Sequence, residues 1–255
     1  MSTTTLTQRP MASPEHPLLV IERILRDRDG MWRQIHRESS LNLLIIQMLA
    51  STAFANFCYG AVLGASNGIW QAISSAIKLP ILFLLTLAIC LPTLYLFNLV
   101  FGSRLSVRQA LAVVLVGITV TSMLTMAFAP ISLFFLISAP DYNFFKLLNV
   151  AILSTTGIVG LTFLIDGMQR MNSLSLAELA TEQGEEEAQT TPIIRPVNMS
   201  LIYLWIVLYG FVGTQLGWTL RPFFGDRDQP FEIFRNIEGN FYVNVIQSII
   251  GMLRG

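Results

Sequence analysis

Long apolar runs separated by short polar breaks dominate the chain. Residues 41–62, 79–101 (with Pro92 inside), 109–138, 144–166 and 199–220 are each apolar almost throughout. A helix needs about 20 such residues, at 1.5 Å rise per residue, to cross a hydrocarbon core of about 30 Å. The third run would reach about 45 Å as a straight helix, overlong for one crossing and too short for two. It therefore predicts a single tilted helix kinked near Pro130. Residues 241–253 are also apolar but too few to cross, which suits an interfacial or re-entrant segment.

A different pattern precedes the first run. Leu18, Ile21, Leu25, Trp32 and Ile35 recur at helical spacing, flanked by Arg23, Arg26, Arg33 and Arg37. Glu22 stands four residues before Arg26, a favourable pairing on the polar face of a helix. Pro17 fits a first helical turn. Residues 17–38 thus predict a cytoplasmic amphipathic helix with Gly30 as its weak point. Laid on the membrane surface, its arginines would meet anionic headgroups and Trp32 would anchor in the interface. Packed on another cytoplasmic part of the same protein, it would bury the same stripe. Residues 1–16, rich in Thr, Ser and Pro, read as a disordered tail. No basic stretch leads into a short apolar core with a small-residue cleavage site, so an uncleaved N-terminus is expected.

Composition supports the membrane reading. Of 255 residues, 53% are hydrophobic and only 13% charged, and mean hydropathy is +0.59. An average soluble domain is roughly 25% charged. Between Ser39 and Asp166 only Lys78, Arg104, Arg108, Asp141, Lys146 and Asp166 carry charge. The 16 basic residues balance 16 acidic ones, which excludes a nucleic-acid partner held by a basic surface. Two cysteines exclude a disulfide scaffold and a Cys-rich metal site.

Orientation follows from Lys and Arg. Five arginines fall between Arg23 and Arg37, so the N-terminus is expected in the cytoplasm. Five spans then put the C-terminus outside. The membrane domain covers 39–220, with an acidic cytoplasmic linker at 167–198 that holds Glu178, Glu182, Glu185, Glu186 and Glu187. Residues 221–255 form an outer-face segment.

Candidate chemistry is sparse. His16 and His36 have no Cys, Asp or Glu at metal-ligand spacing, and there is no P-loop, dinucleotide fingerprint or nucleophile elbow. No catalytic residue, metal or cofactor is expected. Cys58 and Cys90 read as packing residues. Asp166, four residues before Arg170, reads as half of an interfacial ion pair or as a gate. The spans otherwise lack ionisable groups at mid-depth, which argues against a proton pump but leaves a channel open.

Small residues recur in register instead. Gly60 and Gly64 form one GxxxG pair. Gly213 and Gly217, with Gly210 on the same stripe, form another. Gly117, Thr121 and Thr125 repeat every fourth residue, and Gly157 and Gly160 mark the fourth span. Such positions let helix backbones approach closely, within one chain or between chains. Near the C-terminus, Trp218 and Arg221 read as interfacial anchors and Pro222 as a helix end. Asn244, Gln247, Ser248 and Gly251 make a polar but uncharged stripe. With Gln215 it could border a narrow water path, or form the polar face of an ordinary surface helix.

Two segments carry a resemblance. Lys78-Leu-Pro, then Leu91, Pro92, Thr93, Leu94, Tyr95, Leu96, Phe97 and Asn98, closing with Phe101, Gly102, Ser103, Arg104, Leu105 and Ser106, resemble the second-span region of Yip1-like integral membrane proteins. That resemblance implies five spans with the N-terminus inside and the C-terminus outside. Gly213 to Phe223, GxQxxWxLRPF, is similar to the endings of bacterial polytopic membrane proteins. The expected fold is all-α: a polytopic membrane bundle of about five transmembrane helices plus N-terminal and C-terminal amphipathic helices. The expected setting is a bacterial inner or internal membrane rather than a eukaryotic endomembrane. The expected function is a non-enzymatic scaffold or assembly component, its partners membrane lipids and a membrane protein or second copy. The alternative is a channel or facilitator subunit with Gln215, Asn244, Gln247 and Ser248 near the pathway.

Overall fold

A computed structural model describes residues 17–100, 106–138, 141–183, 199–223 and 241–254. Among them the regular structure is entirely helical. It comprises α1 (Pro17–Arg26), α2 (Arg28–His36), α3 (Leu41–Gly64), α4 (Ile69–Val100), α5 (Val107–Ala127), α6 (Ala129–Ser138), α7 (Tyr142–Gln183), α8 (Met199–Thr219) and α9 (Phe241–Arg254). Apolar runs of this length leave helices as the economical way to pair every backbone group without water.

Four helical stretches are long and apolar enough to cross a membrane: Leu41–Asn67, Ile69–Leu96, Val107–Ser138 and Tyr142–Glu178, with mean hydropathies of 1.5, 2.3, 2.2 and 1.9. Their faces are inverted relative to a water-soluble bundle. On α3, Leu43, Ile46, Phe54 and Phe57 are exposed while Gln47, Ser51, Thr52 and Asn56 are buried. Water would select the reverse arrangement; hydrocarbon selects this one. The chain is a helical membrane protein. The expected fifth run forms α8 over nearly the expected residues, and its 21 residues reach about 31 Å.

The bundle is built by chain reversal. A 3₁₀ turn at Ala65–Asn67 and Gly68, at φ +102°, turn α3 into α4. That backbone angle suits glycine because it has no Cβ. α3 packs along α4 on one side and α5 on the other; α7 packs along α5, and α8 along α4. α9 bridges α7 and α8. Ser106 caps α5 with a reciprocal Ser106–Gln109 capping box, and Gln109 also donates to the His36 carbonyl at 2.8 Å.

Several boundaries differ from those expected. α4 starts at Ile69, ten residues before the expected span, and runs through both Pro80 and Pro92. The polar Gln71, Ser75 and Lys78 disguise that extension, yet all three are buried against the protein. The overlong third run breaks at Phe128, two residues before Pro130, into α5 and α6, as a proline kink requires. α7 continues to Gln183, so the first half of the expected linker is helix; 184–198 lie outside the described residues, as does the expected tail 1–16. At 14 residues, or about 21 Å, α9 is too short to cross, as expected.

The N-terminal helix needs two corrections. It breaks at Asp27, not Gly30. The Asp27 carboxylate caps α2 by accepting from the Gly30 N–H at 3.1 Å, and a Cβ on Gly30 would lie 2.2 Å from that carboxylate. Its expected stripe is divided: Leu25 is exposed and Ile21 half-buried, whereas Trp32 and Ile35 pack on the protein, the alternative given above. Val20, Ile24, Met31, Trp32 and Ile35 are at most 1% exposed, forming a continuous core with α3, α5 and α7. Trp32 lies on Gly167, where a Cβ would meet its ring at 2.5 Å. The arginines stay at the surface: Arg26 pairs with Glu22, Arg23 donates to Gln34, Arg33 donates to the Asp29 carbonyl, and Arg37 is exposed. Arg170 joins α7 to this cap through Asp29 at 2.7 Å and to Asp166 at 3.7 Å. The Asp166–Arg170 pair is thus part of a structural seam.

Candidate functional site

Two systems of residues hold the bundle together, and a third is left open. The first is a column of polar side chains along α3, α5, α6 and α7. Thr52 and Thr119 share a hydrogen bond of 3.1 Å, and Asn56 Nδ2 donates to Ser122 Oγ at 2.9 Å. Asn149 Oδ1 accepts from Tyr59 at 2.7 Å and from Ser132 at 2.6 Å, while its Nδ2 donates to the Phe145 carbonyl at 2.8 Å. Thr125 and Thr156 share a bond of 2.9 Å. Such bonds select which apolar helices become neighbours, because hydrocarbon offers no competing partner.

The second system is the small residues. A Cβ on Gly60 would sit 2.4 Å from the Ser75 carbonyl oxygen, and one on Gly64 2.3 Å from that of Gln71. This GxxxG pair therefore packs α3 onto α4 within one chain. A Cβ on Gly160 would meet the Gly117 carbonyl at 2.5 Å and Thr121 Oγ1 at 1.9 Å, so Gly117, Thr121 and Gly160 form the α5–α7 crossing. Gly213 and Gly217 touch α4 more loosely, with Thr86 at 3.6 Å and Leu82 at 4.0 Å. Trp205, buried on α8, donates its indole N–H to the Cys90 carbonyl at 2.9 Å, two residues before Pro92.

The third feature is a cavity of about 630 Å³ between the α4–α8 pair and the α5–α7 pair. Leu82, Phe83, Val114, Ile118, Leu161 and Ile206 contribute to its wall, as do Leu164 and Trp205. Gly157 of α7 and Gly210 of α8 also line it, and a Cβ on either would meet nothing within 4 Å. From Lys146 to Leu164 the wall runs about 27 Å along α7. The space is long, half-open and mostly apolar.

Its two charged residues, Lys146 and Arg221, stand at one end. Lys146 Nζ donates to Asn244 Oδ1 at 2.8 Å and lies 5.7 Å from the Tyr142 ring centroid. Arg221 stacks on Trp218 at 3.8 Å, and both line the cavity. Gln71 donates to the Pro222 carbonyl at 2.8 Å and Ser75 to that of Phe223 at 2.7 Å, which fixes the chain leaving α8 against α4.

The sequence-derived candidates are thus divided. Trp218 is buried under Arg221 rather than spread on lipid. The polar stripe of α9 is split: Asn244 lines the cavity, Ser248 is buried and donates to the Asn244 carbonyl, and Gln247 is exposed. Gln215 is half-buried on α8 and outside the cavity wall. These four do not come together in one pathway. Lys146, Gly157 and Trp205 were missed as site residues. The available signal was a lone lysine one turn into an apolar run; Gly157 and Gly210 are told apart from the packing glycines only by the structure.

The fold and groove define a class: a helical membrane bundle with a half-open, mostly apolar groove that carries Lys146 and Arg221 at one end. No family model, curated protein or solved structure matches the chain.

Proposed function

We propose that the protein is a non-enzymatic integral membrane protein that takes the hydrocarbon chain of a membrane lipid into the cavity between α4–α8 and α5–α7. The observation carrying this is the pair Gly157 and Gly210. Small residues in lipid-embedded helices ordinarily bring backbones into contact. These two line a half-open groove, Gly157 half-buried and Gly210 exposed, and a Cβ on either would meet nothing within 4 Å. The small-residue faces that suggested a scaffold are engaged inside the chain at Gly60, Gly64, Gly117 and Gly160, or border this space. With the arginine-rich N-terminal cap on the cytoplasmic side, the mouth at Lys146 and Arg221 lies on the outer side.

The test is native mass spectrometry of the full chain in mild detergent, comparing wild type with Gly157→Leu and Gly210→Leu. A Cβ at either position meets no atom within 4 Å, so the fold should survive. Wild type should carry lipid adducts that the variants lose, with melting unchanged or raised. Equal adducts in all three proteins would sink the proposal.

A further inference from the structure

We infer that the lipid taken into this cavity carries an anionic headgroup, seated at Lys146; the inference rests on the proposed chain site and names its lipid class. Lys146 lies one turn into α7, half-buried, at the cavity mouth. Its ammonium gives one hydrogen bond to the Asn244 amide oxygen and faces the Tyr142 ring. Both partners are neutral, and among the described residues Lys146 has no ion-pair partner. The nearest carboxylate in sequence, Asp141, is exposed and accepts the Asn143 backbone N–H at 2.9 Å at the start of α7. An ammonium offers three donors, so two remain for a ligand.

A half-buried cation beside hydrocarbon is unfavourable without a countercharge. A lipid phosphodiester supplies it, and the charge order then matches along the whole ligand. The anion meets Lys146, and the chain descends between Gly157 and Gly210 towards Leu164. α9 completes the seat. Asn244 orients the ammonium, and Ser248 is bonded back to the Asn244 carbonyl at 2.9 Å. A zwitterionic headgroup brings its own cation to the same place and gains less.

The probes are phosphatidylglycerol and phosphatidylcholine with identical acyl chains, titrated onto delipidated full-length protein in detergent and read by native mass spectrometry. Wild type should bind phosphatidylglycerol at least threefold more tightly. Lys146→Gln should bring the two lipids to parity while still binding both, and Lys146→Arg should restore the preference. Gly157→Leu should abolish both. Soluble glycerol phosphate should not displace the lipid at equal concentration. Parity in wild type, with binding lost in Gly157→Leu, overturns the headgroup inference and leaves the chain site standing. A preference that persists in Lys146→Gln, or in Gly157→Leu, overturns it by placing the anion elsewhere. Displacement by glycerol phosphate overturns the lipid assignment. Binding of neither lipid to wild type overturns the chain site together with the headgroup.

Discussion

Gly60 and Gly157 sit in spans of similar composition and make opposite demands on a methyl group. In Gly60→Ala the new Cβ would lie 2.4 Å from the Ser75 carbonyl oxygen and 2.9 Å from the Ala76 Cα, both backbone atoms of α4. Ordinary contact begins at 3.4 Å, so α3 and α4 must separate by about 1 Å. Overpacking of that kind costs about 1–3 kcal/mol. Replacing a mid-helix glycine by alanine returns roughly 0.5–1 kcal/mol. The net expectation is a loss of up to about 2.5 kcal/mol, centred near 1. Gly157→Ala meets no atom within 4 Å and keeps only the gain, about 0.5–1 kcal/mol. At about 2–4 °C per kcal/mol for a chain of this size, the two variants should melt several degrees apart. Helical circular dichroism followed during heating in one detergent, with oligomer size checked by light scattering, measures the difference. Equal melting temperatures, or a Gly60→Ala protein that dissociates instead of destabilising, would refute intrachain packing at this pair.

Other perturbations test the remaining contacts. Trp32→Ala should cost about 3–5 kcal/mol, because a fully buried indole is lost from the cap; a helix lying on lipid would lose almost none, and brominated lipids should quench the wild type and Trp32→Phe by the same absolute amount. Asn149→Leu removes the acceptor of Tyr59 and Ser132, leaving two buried hydroxyls at about 1–3 kcal/mol each. A Tyr59→Phe/Asn149→Leu cycle should show a coupling of about 0.6 kcal/mol or more; additive losses would deny the bond. Trp205→Phe should cost about 0.5–1.5 kcal/mol through the lost bond to the Cys90 carbonyl, read as a lower melting temperature with the helix content intact.

Hydropathy alone located the apolar helices, the kink ahead of Pro130 and the shortness of α9. These are local properties: lipid demands a long unbroken run, proline lacks an N–H, and helix length is residue count times rise. Boundaries failed where a polar residue is buried against protein. Gln71 and Ser75 look like the end of a span until their partners, the carbonyls of Pro222 and Phe223, are brought from about 150 residues away. Likewise the amphipathic stripe of α1–α2 states that an apolar face must be covered, and says nothing of whether lipid or Gly167 covers it. The glycine stripes were legible as close-packing signals, but Gly60, Gly160 and Gly157 look alike in sequence. Tertiary structure alone assigned the first to α4, the second to α5 and the third to an open cavity. Burial of apolar area does not choose between neighbours inside hydrocarbon. Steric fit and paired hydrogen bonds do, and both depend on residues that meet only after the chain has folded.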